Sequence, residues 1–282
     1  MTFDEKTLTL NGRPVRYWED GTANNRVLLL LHGGIGDAYL NWSPGVPTLV
    51  EHFRVIAPDL PGFGATPAQP IMTVDALLEW IKGFLDVLKI EQVALGGHAF
   101  GALLARLFAA AYPSYVVALV MVNGGTIPNI PPTMRALARL PLIGSSIFYL
   151  LARSTASPSQ LARLVHVQDV LTDDFSARVQ SNLSGFAAMM RLLASSHVPE
   201  KRSPPVPTLL LWGAEDQIVT LAEAERIKAA LGGDATLSPI AGCANMPHVE
   251  APEVFAWQIV QFIETRNRPS RPDLPGVGKL QG

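Results

Sequence analysis

The sequence predicts an α/β protein built on a mostly parallel, doubly wound sheet with a helical insertion. Three observations carry this reading. Residues 27–31 and 116–122 are apolar throughout, as strands covered on both faces are. Segments with helical spacing alternate with these runs. Residues 126–200 break the alternation: they hold helical patterns and no convincing strand.

In chain order, residues 7–10 and 15–18 alternate like two strands, and Asn11-Gly12 between them reads as a hairpin turn. Residues 27–31 form the next strand, ending at His32-Gly33-Gly34. A short strand at 55–57 is closed by Pro58-Asp59-Leu60-Pro61-Gly62. Val74, Leu77, Leu78, Ile81, Leu85 and Leu88 follow helical spacing behind Thr73 as N-cap. Strands at 93–95, 116–122, 208–212 and 236–240 complete the sheet. Helices are expected at 101–112, stopped before Pro113; at 222–231, between Thr220 as cap and Gly232; and from Pro252 onward. Within the insertion, helical patterns run over 134–140, 147–152 and 175–193. The expected organisation is a core of residues 1–125 and 201–268, a cap of residues 126–200 lying as a lid over the strand ends, and a disordered tail at 269–282 rich in proline and glycine.

Composition narrows the function. The chain has 282 residues, 48% hydrophobic and 16% charged, so it can bury a large core. A net charge of −2 argues against a general nucleic-acid binder. The single cysteine, Cys243, excludes an internal disulfide framework and any multi-cysteine metal site. The six histidines lack the paired spacing of a zinc site, and the glycine-rich stretches match no phosphate-binding loop. Neither a metal nor a nucleotide cofactor is therefore expected. The polar, acidic start is unlike a signal peptide and no apolar run is long enough to span a bilayer, so a soluble cytoplasmic protein is expected.

The sharpest signal lies at Gly96-Gly97-His98-Ala99-Phe100-Gly101-Ala102, between a strand and a helix. Small residues flanking a tight strand-to-helix turn are the mark of the nucleophile elbow G-x-S-x-G. Here Gly97 and Gly101 flank Ala99 where serine belongs.

With these residues the chain resembles the α/β-hydrolase superfamily over roughly residues 7–265. His32-Gly33-Gly34 resembles its oxyanion loop, and Asp59-Leu60-Pro61-Gly62-Phe63-Gly64 its D-x-P-G-x-G turn. Residues 211–216 resemble the strand end that carries the triad acid, placed at Asp216. Residues 242–253 resemble the segment that carries the triad histidine, and anchoring on Pro247, Glu250 and Pro252 puts Asn245 where that histidine belongs. The triad positions thus read Ala99, Asp216 and Asn245. Alanine offers no nucleophilic atom and asparagine is no general base near neutral pH. Losing such groups costs a serine hydrolase about a millionfold in turnover. What the resemblance leaves is an electrostatic site: the N–H groups of Gly34 and Phe100 around an oxyanion, with His32, Gly33, His98 and Asn245 as further ligand contacts, loop stabilisation being the favoured alternative for His32.

His98 and His248 are possible replacements, but a packing role is favoured for His98 and a surface or helix-start position for His248, and Cys243 reads as a buried apolar residue. Asp216 equally suits a turn carboxylate near Thr220. Leu137, Leu140, Ile143, Phe148 and Leu151 are candidates to shape the pocket from the cap, their alternative being cap core. Three functions stay open. The first is a non-hydrolytic enzyme (cyclase, lyase, isomerase or cofactor-free oxygenase) acting on a small apolar carbonyl compound. The second is a ligand-binding protein without turnover. The third is an inactivated ester or carbon–carbon bond hydrolase, to which Asn123-Gly124-Gly125 and a cap arginine, Arg178 or Arg191, would belong. Caps of this kind often carry dimer contacts, so a homodimer is among the expected arrangements.

Overall fold

The structure is a computed structural model that describes residues 3–69, 73–127, 129–140, 143–196 and 204–266. The expected tail at 269–282 lies outside the described residues, as does the end of the insertion. Eight strands form one sheet: β1 (Asp4–Leu10), β2 (Arg13–Asp20), β3 (Val27–Leu31), β4 (Arg54–Pro58), β5 (Val93–His98), β6 (Val116–Val122), β7 (Thr208–Gly213) and β8 (Ala235–Ile240). Their order is β1-β2-β4-β3-β5-β6-β7-β8. β2 runs antiparallel to both β1 and β4, and every other pairing is parallel. Asn11 and Gly12 both adopt positive φ, 51° and 75°, which fits the twist of a two-residue hairpin.

Helices cover both faces. α1 (Ala38–Trp42), α2 (Val46–Leu49), α3 (Val74–Val87) and α4 (Phe100–Ala111) precede the insertion. α5 (Pro132–Ala138), α6 (Ile143–Thr155), α7 (Pro158–Leu164), α8 (Asp173–Ser181) and α9 (Leu183–Ser195) lie between β6 and β7. α10 (Leu221–Leu231), α11 (Pro247–Glu250) and α12 (Pro252–Arg266) follow. The period-two geometry of a strand explains the two cores. Leu29 and Leu31 pack with Phe84, Leu103 and Phe108 of α3 and α4. Leu28 and Leu30 pack with Trp42, Leu49, Phe255 and Ile259 of α1, α2 and α12. All four leucines are fully buried, which is why the run carries no polar residue.

Several expectations need correction. β5 continues to His98 through Gly96 and Gly97, which were expected to lie in the turn. The pattern at 175–193 is two helices, not one. Asn182 breaks it: its Nδ2 donates to Arg178 O at 2.7 Å and its Oδ1 accepts from Gly64 N at 2.6 Å. A side chain that bonds nearby backbone competes with the helix in this way. Thr220 precedes α10 without a side-chain capping bond, unlike Thr73, whose hydroxyl accepts from Ala76 N. α7, opened by Pro158, carries no long apolar stripe and was not anticipated. No helix among the described residues is long and apolar enough to cross a membrane.

The insertion is tied to loops at the ends of the strands. Arg178 pairs with Asp37 at 3.1 Å, Glu250 accepts from the N–H groups of His166 and Val167, and Leu164 O accepts from Asn245 N at 2.9 Å. Phe186 and Met189 of α9 cover Gly34 so closely that a Cβ there would lie 2.6 Å from each.

Candidate functional site

β5 delivers its chain into the turn at Ala99, which adopts φ 49° and ψ −106°, and α4 begins at the next residue. Positive φ is strained for a residue with a Cβ. The turn is held by Ala99 N donating to Val122 O at 2.9 Å, and by close packing. A Cβ on Gly97 would lie 2.3 Å from the Gly101 carbonyl, and one on Gly124 only 2.4 Å from Ala99 Cα. Gly124 is therefore part of the turn, although it stands on a different strand end. Ala99 remains partly exposed, whereas Gly33, Gly34, His98 and Phe100 around it are buried.

Gly33 lies beside this turn: a Cβ there would sit 3.4 Å from Ala99 Cβ. Phe100 is the first residue of α4, so its N–H has no acceptor within the helix. These groups stand at the positive end of the helix dipole, where developing negative charge is stabilised.

The loop after β7 carries Asp216, which is buried. Its Oδ1 accepts from the N–H groups of Ile218 and Val219 at 2.8 and 3.1 Å. Its Oδ2 accepts from Asn123 Nδ2 at 2.7 Å and from Asn245 Nδ2 at 2.9 Å. One oxygen thus holds the turn before α10 and the other meets Asn123 and Asn245. Asn245 O in turn accepts from Nε2 of His98, the neighbour of Ala99, at 3.0 Å. One chain of hydrogen bonds joins His98, Asn245, Asp216 and Asn123.

Asn123 was noted in the sequence only as part of Asn-Gly-Gly. It is fully buried with φ 39°. Its Nδ2 also donates to Ala244 O at 3.2 Å and its Oδ1 accepts from Gly213 N at 3.1 Å. It ties the ends of β6 and β7 to the loop bearing Asn245. Its position directly after an apolar strand was the available signal.

Three histidines are buried in this region. His32 is fully buried; its Nδ1 donates to Gly33 O at 2.6 Å and its Nε2 accepts from Leu60 N at 2.9 Å. With both nitrogens used on backbone, it braces the loop, the favoured alternative, and has no nitrogen left for the ligand contact also considered. His248 is also fully buried, not a surface residue: its ring lies 4.4 Å from that of His98, and its Nε2 donates to Asn41 Oδ1 at 3.2 Å. Burial pushes His98 down to about 4 and His248 well below its usual range, so both imidazoles are neutral at pH 7. Cys243 is buried, and its thiol is pushed up to about 11 by the same cause, so it is no ready thiolate.

Of the expected cap residues, Phe148 is buried in the core shared with the sheet, while Leu140 and Ile143 are exposed on the outside and shape no enclosed pocket. The residues that cover Gly34, Phe186 and Met189, lay in the helical pattern but were not singled out. Arg178 stacks on Tyr39 and pairs with Asp37 and Asp174, and Arg191 bonds to Ala138, Leu140 and Ser145 within the insertion.

The model of the alpha/beta hydrolase fold family matches residues 26–142. The solved enol-lactonase of Burkholderia xenovorans superposes with a TM-score of 0.76 at 22% identity, over 92% of this chain and all of that one. The chain has the α/β-hydrolase fold. Curated relatives include mouse Epoxide hydrolase 4, 25% identical over 92% of this chain and 78% of its own length. The 2-hydroxy-6-oxo-6-(2'-aminophenyl)hexa-2,4-dienoic acid hydrolase of Metapseudomonas resinovorans is 24% identical over 93% of this chain and 91% of its own.

Proposed function

We propose that this α/β-hydrolase-fold protein is a non-hydrolytic enzyme acting on a small apolar carbonyl compound, with Ala99 at the nucleophile position, Asp216 at the acid position and Asn245 at the histidine position. The observation that carries the reading is the Asn245–Asp216 bond at 2.9 Å beside an Ala99 turn that keeps positive φ. The framework that presents an oxyanion is retained without a hydroxyl to attack or an imidazole to take a proton. The N–H groups of Gly34 and Phe100 would receive negative charge developing on the carbonyl oxygen. Gly33 and Asn245 would border the substrate, and the insertion at 126–200 would cover it. Bond-making is left to groups of the substrate itself, held in a reactive orientation, as in cyclisation, isomerisation or elimination.

A second reading, an inactivated ester or carbon–carbon bond hydrolase, is favoured by the hydrolase names of the relatives.

The test compares the natural chain with Ala99→Ser/Asn245→His on short and aromatic esters. It also follows deuterium uptake by an enolisable aryl ketone, 1-indanone, in heavy water. The proposal expects no ester turnover by the natural chain, and exchange at least about tenfold faster than with an unrelated protein at equal concentration. Ester turnover by the double variant alone, with no exchange by the natural chain, would favour the inactivated hydrolase. Ester turnover by the natural chain would defeat both readings.

A further inference from the structure

α9 separates two spaces. Phe186 and Met189 point at Gly34. Ser184, Ala187, Ala188, Arg191, Leu192 and Ser195 recur at intervals of three and four and share another face of the helix. That face lines an open cleft of about 990 Å³ between α9, the C-terminal end of α5, and α6, with Ala68 at its edge. The volume falls in the range of pockets that take a small organic ligand. None of its lining residues belongs to the Ala99 site.

Charge in the cleft has one sign. Among the described residues, Arg139 and Arg191 are the charged residues that line it, and no Asp or Glu is among them. Arg191 donates to Ala138 O at 2.8 Å, Leu140 O at 3.2 Å and Ser145 Oγ at 2.7 Å, all neutral oxygens. A guanidinium has five N–H donors, so two remain. The local sequence provides no counter-charge either: no acidic residue occurs between Glu91 and Asp169, whereas Arg135, Arg139, Arg153 and Arg163 fall in that stretch. Beside the guanidiniums the walls are mixed: Ala187, Leu192, Tyr149 and Leu150 give an apolar strip, and Gln69 and the serines 145, 146, 184 and 195 are neutral and polar.

We propose that this cleft binds an amphipathic carboxylate, its head on Arg139 and Arg191 and its apolar body along Ala187, Leu192 and Leu150. Guanidinium recognises carboxylate through paired, charge-assisted hydrogen bonds, which supply the specificity, and the small side chains of α9 leave room for the chain. The site is independent of the reading of Ala99.

The probe is decanoate, titrated calorimetrically into the full-length protein and compared with decanol. Saturable 1:1 binding of decanoate is expected, with decanol at least about tenfold weaker. Arg139→Gln, at an exposed position, should weaken decanoate by about tenfold, and Ala188→Trp, which fills the cleft without touching the charges, should abolish binding. Absence of saturable binding, equal affinity for decanol, or unchanged affinity in Arg139→Gln would each overturn the proposal. So would unchanged affinity in a folded Ala188→Trp, since the ligand would then sit elsewhere. Should Ala188→Trp fail to fold, Arg139→Gln and the decanol comparison decide.

Discussion

Asn245 donates through Nδ2 to Oδ2 of Asp216 at 2.9 Å, in a buried setting where that oxygen also accepts from Asn123. An amide N–H here makes the bond to the carboxylate that an imidazole N–H makes in a hydrolytic triad. The loops at the ends of β6, β7 and β8 are held together through this one carboxylate.

Asp216→Asn tests that linkage. An amide keeps one acceptor and turns an N–H₂ toward groups that are themselves donors. Loss of about 2–4 kcal/mol is expected, read as a lower urea midpoint with an unchanged slope. A change below about 0.5 kcal/mol would show that the linkage contributes little to the fold.

Gly124→Ala and Gly12→Ala separate close approach from backbone conformation. The new Cβ at Gly124 would meet the backbone of Ala99 at 2.4 Å, while at Gly12 it would meet open space at φ 75°. The first should cost about 3 kcal/mol or more and the second about 1 kcal/mol, compared by chemical denaturation. Equal costs would mean that the elbow yields readily to Gly124.

Arg16→Met should be strongly destabilising. Asp59 is fully buried and pairs with Arg16 Nε at 2.5 Å. Removing the guanidinium leaves an uncompensated carboxylate, at an expected cost of about 3–5 kcal/mol. Burial already raises the Asp59 pKa, and Arg16 opposes that rise. Arg16→Met/Asp59→Asn should therefore be less damaging than Arg16→Met alone; additive losses would count against coupling.

Acid should destabilise the protein before ordinary carboxylates titrate. Folded His98 and His248 lie below the usual value of 6.5, so in acid the unfolded chain binds protons that the folded chain does not. Their contribution is fully present above about pH 6.5 and is lost as pH falls toward 4, at about 1.4 kcal/mol per unit for each histidine. The raised Asp59 works in the opposite sense nearer pH 4. Urea unfolding at pH 7, 6 and 5 reads the slope, and His248→Phe should flatten it; a slope of zero between pH 6 and 5 would contradict the burial of both rings.

Much of the fold was legible because burial on both faces leaves an uninterrupted apolar run, and β3 and β6 match their runs residue for residue. The elbow was legible because its glycines are neighbours in sequence. Gly124 and Asn123 were harder to see as site residues. Their constraint is contact with segments far away in the chain, and no periodicity records that. The break at Asn182 depends on a partner at Gly64, and the burial of His248 depends on His98 and Trp42, which the sequence places far apart. The exposed Leu140 and Ile143 show the converse: an apolar pattern within a helical insertion does not say which side meets the sheet.

The turn at Ala99 keeps its costly backbone with no hydroxyl to present. Alanine and serine codons are interconverted by a single base change, and so are those of asparagine and histidine. Two point mutations therefore separate this gene from one encoding Ser, His and Asp at the three positions, with every supporting glycine already in place. In a randomly mutagenised population selected on an ester, hydrolytic revertants should carry both changes together, because neither alone supplies both a nucleophile and its base.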